Sequence, residues 1–106
     1  MNCILRQLLE RNNLVNSNRY WFYPPYSMTN WIIVTYDDAI RFISGFGITK
    51  YNTIDDYGIS SNFKLTEYSL IDKEIKRLIK EFNRLSIEVK ERKVKEKLKD
   101  LEKDFV

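Results

Sequence analysis

The sequence predicts an α+β domain on three observations: an amphipathic start, a middle rich in aromatic and β-branched residues, and a C-terminal third with a sustained helical repeat. At 106 residues one domain is the natural count. A chain of this length buries roughly 65% of its unfolded surface, enough for one core without staples. The spacing divides it into a small body over residues 1–67 and a long helix over 68–106. The first half of that helix is expected on the body and its last third against a partner.

Residues 1–15 predict a short helix. Ile4, Leu5, Leu8 and Leu9 recur at helical spacing, Arg6, Gln7, Glu10 and Arg11 take the other side, and Asn12-Asn13 supplies a stop. Asn16-Ser17-Asn18 reads as a turn.

The segments RYWFY and TNWIIVTY then carry the composition of strands, and Pro24-Pro25, which cannot donate ladder hydrogen bonds, fits the tip between them. With a side-chain period of two, Tyr20 and Phe22 point one way and Trp21 and Tyr23 the other, so both faces of this β-hairpin are apolar and suit helices on either side. Tyr23, Pro24, Pro25 and Tyr26 at the tip are candidate partner-binding residues, because rigid aromatics anchor interfaces at low entropic cost. Base stacking there is the weaker alternative, since only Arg19 supplies local positive charge.

Two segments share the pattern T-x-D-D: Thr35 to Asp38 and Thr53 to Asp56. A threonine hydroxyl caps free amides and carboxylates favour a helix N-terminus, so each predicts a short helix. The first runs over 37–44, with Ala39, Ile40, Phe42 and Ile43 on its apolar side and Gly45 and Gly47 at its stop; the second makes one or two turns before Gly58. A polar link and a short FKL stretch follow. The same aspartates with Glu67 could hold a divalent cation through oxygen ligands, but helix capping accounts for them, and neither metal nor cofactor is expected.

From Ser69, a good N-cap with Asp72 in the capping-box position, the helical repeat begins. Ile71, Ile75, Leu78, Phe82, Leu85 and Val89 follow a heptad, widened by Leu70 and Ile79 to suit packing on a globular body. A second stripe, Ile87, Val94, Leu98, Leu101 and Phe105, with Glu91 at one apolar position, is rotated from the first by roughly 140°. With neither Gly nor Pro after Gly58, a single helix is expected to outrun the body, leaving this second stripe as an oligomer interface or a seat for a foreign helix.

Charge concentrates on the same helix. Residues 1–67 hold six Lys/Arg against six Asp/Glu, and residues 68–106 twelve against nine, so the net charge of +3 lies in the C-terminal part. Lys73, Lys76, Arg77, Lys80 and Arg84 form a basic outer face, the candidate nucleic-acid surface of an alternative reading. The plainer reading is a solvated face laced by pairs such as Glu88 with Arg92 and Glu91 with Lys95.

The lone Cys3 cannot form an intrachain disulfide, which favours a reducing, cytoplasmic setting, and with no histidine in the chain a catalytic thiol lacks its commonest base. The start MNCILRQLLERNN is too soon interrupted by charge for a secretory signal, and WIIV is too short for a membrane span. Ile, Lys, Asn, Tyr and Phe, with A/T-rich codons, total 45 residues, whereas Ala, Gly and Pro total six. That bias suggests a low-G+C bacterium, or a phage or mobile element living in one. The resulting expectation is a small non-enzymatic protein that binds another macromolecule, as a regulator or inhibitor of a host system of the anti-defence (anti-CRISPR) kind does. The alternative is a homodimeric regulator that binds nucleic acid through the basic helix face.

Overall fold

A computed structural model describes residues 2–104, with side chains described through residue 101. It is α+β: helix α1 (Cys3–Arg11), strands β1 (Val15–Ser17), β2 (Tyr20–Phe22), β3 (Ile33–Thr35), β4 (Ala39–Ile48), β5 (Ile54–Ile59) and β6 (Phe63–Lys64), then helix α2 (Tyr68–Asp104). Asn2 caps α1, its Oδ1 accepting the Leu5 amide at 2.7 Å. Asn13, in the left-handed region at φ 64°, turns the chain into the sheet.

The sheet is antiparallel in the order β1-β2-β3-β4-β5, and β6 pairs with the start of β4. The expected pairing of the two aromatic segments forms, with Tyr20 opposite Val34 and Trp21 opposite Ile33. Two details differ from expectation. The Asn16-Ser17-Asn18 segment contributes an added strand, β1, with Asn18 at φ 57° making the tight turn into β2. The link from β2 to β3 is a long loop over residues 23–32, within which Pro24 and Pro25 occupy one turn closed by the Tyr26 and Ser27 amides on the Tyr23 carbonyl, at 2.9 and 3.0 Å.

The larger corrections fall on the T-x-D-D segments. The helix expected over 37–44 is instead the entry to the ten-residue strand β4, and the short helix expected before Gly58 is β5. Asp37 and Asp38 sit in the β3–β4 turn and Asp55 and Asp56 on β5, so neither pair caps a helix. The cause is burial on both sides of β4: Ala39, Ile40, Phe42, Ile43 and Phe46 are all buried, and two covered faces imitate helical spacing. Gly45 is not a helix stop. A Cβ there would lie 2.7 Å from Tyr57 Oη and 3.0 Å from Glu81 Oε1, so glycine permits a close approach of strand, neighbour and helix.

The core lies where the helices meet one row of the sheet. Trp21, Ile33 and Phe42 are successive cross-strand neighbours, all fully buried, and they join Leu5 and Leu9 of α1 and Ile71, Ile75 and Leu78 of α2 in a single cluster. On the other face of the same strands Val34 is buried between an exposed Tyr20 and a half-buried Arg41, and because both helices join the cluster on the first face they do not sandwich this hairpin. α2 begins at Tyr68, which puts Ser69 inside the helix rather than at its cap, and Asp72 accepts from Asn12 at 3.2 Å and from Lys76 at 2.6 Å instead of closing a capping box. The molecule measures 63 × 23 × 23 Å, its long axis set by α2.

Candidate interaction surface on the long helix

The first stripe of α2 is spent on the body. Ile71, Ile75, Leu78, Phe82, Leu85 and Val89 are all buried, and Phe82 meets Tyr23, Phe46 and Tyr26 edge to face with centroids 5.5 to 5.8 Å apart. Beyond Val89 none of the side chains through Leu101 is buried. Among the described residues the last hydrogen bond from the body to α2 runs 2.8 Å from Asn52 Nδ2, in the β4–β5 turn, to Glu96.

The second stripe is left uncovered. Ile87 is 60% exposed, Val94 56%, Leu98 54% and Leu101 53%, while Phe105 lies outside the described residues. Ile87 is informative because it is exposed between the buried Leu85 and Val89. The stripe therefore faces away from the body even where the helix is still anchored.

The basic face resolves into residues with different duties. Arg77 is a clamp: its guanidinium donates to the Ser44 carbonyl at 2.8 Å, to Glu81 at 3.3 Å and to Glu74, and the Glu74 hydrogen bond, with both carboxylates' charge, raises its pKa. Glu81 in turn accepts the Phe46 amide at 2.8 Å, so this network ties α2 to β4. Lys76 pairs with Asp72 at 2.6 Å and holds that carboxyl below its usual range, and Arg84 lies 3.9 Å from Glu88. Lys73 and Lys80 form no ion pair among the described residues. Of the expected exposed pairs, Glu88–Arg92 forms at 2.8 Å and Glu91–Lys95 does not. Spacing alone did not distinguish Arg77 from its lysine neighbours, because the carbonyl it serves is 33 residues away.

Arg11, from the end of α1, joins this surface without any signal in the sequence. With Asn12, Asn13, Lys76, Lys80 and Asn83 it borders an open cleft of about 410 Å³ floored by Tyr23. Tyr23 is thus a core residue, 8% exposed, and the exposed anchor expected at the tip is not found there. Tyr26 is half-buried and donates its hydroxyl to Asp56 at 2.5 Å; burial, then that bond, pushes its pKa up. Both rings are drawn inward by Phe46 and Phe82, leaving Pro24 and Pro25 as the exposed part of the tip.

Among the described residues no three metal-ligating side chains come together, and no helix is long and apolar enough to cross a membrane. No protein-family model, no curated protein and no solved structure matches the chain.

Proposed function

We propose that this chain is a small non-enzymatic protein that acts in the cytoplasm by binding another protein through the projecting part of α2, as a phage or mobile-element inhibitor of a host defence system would. The observation that carries the reading is the outward stripe of Ile87, Val94, Leu98 and Leu101, more than half exposed along a helix whose inner stripe is already used. Aliphatic side chains at heptad spacing on an anchored helix form a ready-made seam for a partner helix. The excess of residues with A/T-rich codons fits a low-G+C bacterium or a phage or mobile element living in one. A second reading, nucleic-acid binding, is favoured by Lys73 and Lys80, which are exposed and form no ion pair among the described residues.

The test uses the full chain as bait in nuclease-treated lysate of a low-G+C host, beside a variant carrying Leu98→Asp and Leu101→Asp. A protein retained by the wild type and lost by the variant, with both baits melting at the same temperature, is the expected result. Retention indifferent to the two substitutions overturns the reading. Nucleic acid recovered without nuclease and released by moderate salt would establish the second reading instead.

A further inference from the structure

The basic and the apolar surfaces of α2 are one face. At about 100° per residue, Lys73, Lys76, Lys80 and Arg84 fall within roughly 50° of a single line along the helix, and Ile87, Val94, Leu98 and Leu101 continue that same line. The buried stripe from Ile71 to Val89 lies nearly opposite. From Lys73 to Leu101 the outward face is about 42 Å long, cationic over its anchored half and apolar over its projecting half. Lysines continue beside the apolar half: Lys90 and Lys97 border it on one side and Lys95 on the other, all exposed. Arg11 adds a further cation beside the anchored half.

We infer that the occupant of this face is an amphipathic helix of a different protein, with an apolar ridge flanked by Asp and Glu that runs on into an acidic segment. The inference rests on the protein-binding reading above and names the partner's chemistry. Charge decides among the occupants. A second copy laid parallel sets Lys73, Lys76, Lys80 and Arg84 against their own counterparts. Laid antiparallel so that Val94 meets Leu98, it sets Lys95 and Lys97 against theirs. Like charges at such positions oppose pairing, as the edge charges of coiled coils do when they reject a wrong partner. A nucleic-acid backbone would satisfy the lysines and leave four aliphatic side chains facing water. An acid-flanked helix satisfies both halves. The acids within this region are already engaged or few: Glu88 serves Arg92 and Arg84, Asp72 serves Lys76, and Glu91 alone stands in the apolar line.

The experiment titrates the full chain with two synthetic helical peptides of about 28 residues, long enough to span the face. Both carry the same leucine ridge; one has Glu at every flanking position and the other Lys. The expected result is binding of the Glu peptide at least about tenfold tighter than the Lys peptide, since several close ion pairs add up. That preference should reverse in a chain carrying Lys73→Glu, Lys80→Glu and Arg84→Glu, and binding should disappear with Leu98→Asp and Leu101→Asp. Equal affinity for the two peptides, or binding of neither, overturns the inference. So does light scattering near twice the 12.8 kDa of one chain that falls to one chain on Leu98→Asp, which would assign the seam to a second copy. That last result leaves the stripe a binding surface, whereas capture from lysate indifferent to Leu98 and Leu101 removes the functional reading itself.

Discussion

The two halves of α2 are made of similar residues and meet opposite fates. Up to Val89 the aliphatic stripe is buried, and Arg77 and Glu81 stitch the helix to β4 through the Ser44 carbonyl and the Phe46 amide. Beyond it, a stripe of similar composition stands in solvent. Heptad spacing marks a face that prefers to be covered; it does not say whether the cover comes from the same chain. The helix is 37 residues long and its inner stripe is buried only as far as Val89, so its later turns run past the part of the body that covers it.

The sharpest test of this difference is matched truncation. Phe82→Ala should cost about 3 to 5 kcal/mol, because it removes a ring that three other aromatics pack against. Leu98→Ala should stay within about 0.5 kcal/mol, as exposed substitutions do. Denaturant unfolding of both variants measures the gap, and a large loss at Leu98 would mean that the projecting half is already covered in the purified protein.

The junction between helix and sheet predicts a smaller effect. Gly45→Ala pushes a methyl group against Tyr57 Oη and Glu81 Oε1, and a cost of about 1 to 3 kcal/mol follows from such overpacking. Tyr57→Phe removes the nearer of those atoms, so the double variant should be more stable than the two single changes add up to. Strict additivity would mean that the strain is taken up by Glu81 and not by the tyrosine.

The loop over residues 23–32 supplies the mildest. Tyr26→Phe keeps the ring on Phe46 and Phe82 and loses the hydrogen bond to Asp56, for about 1 kcal/mol in thermal unfolding. If binding through α2 also changed, the projecting half and the body would not be the independent units that the contrast implies.

Local pattern carried different parts of the chain unequally. The ends were legible: α1 and α2 each declare themselves by apolar spacing, and the pairing of RYWFY with TNWIIVTY followed from composition. The stretch over 37–59 was not. Ala39, Ile40, Phe42 and Ile43 have helical spacing, and Gly45 and Gly47 look like its punctuation, yet all belong to one strand. A strand covered on both sides loses the alternation that would reveal it, and a glycine needed for a close approach across the sheet looks the same in sequence as one that ends a helix. Of the candidate surface residues, the outward stripe was legible from the break in register after Val89. Burial of Tyr23 and the clamp role of Arg77 were not, because each depends on residues brought in from far along the chain.

By itself the sequence determined the class of fold, the length and continuity of α2, the change of register along it and the placing of net positive charge on it. Those are properties of neighbours within a turn or two of helix, and backbone geometry translates them directly into faces. What tertiary contacts alone settled is that the T-x-D-D segments are strands, that Tyr23 of the Pro-Pro turn belongs to the core with Tyr26 packed against it, and that Arg77 clamps α2 to β4. The reason is that burial is a relation between distant segments: an aliphatic stripe is core where it turns toward Trp21, Phe42 and Leu9, and surface where it turns away from the body or runs past it.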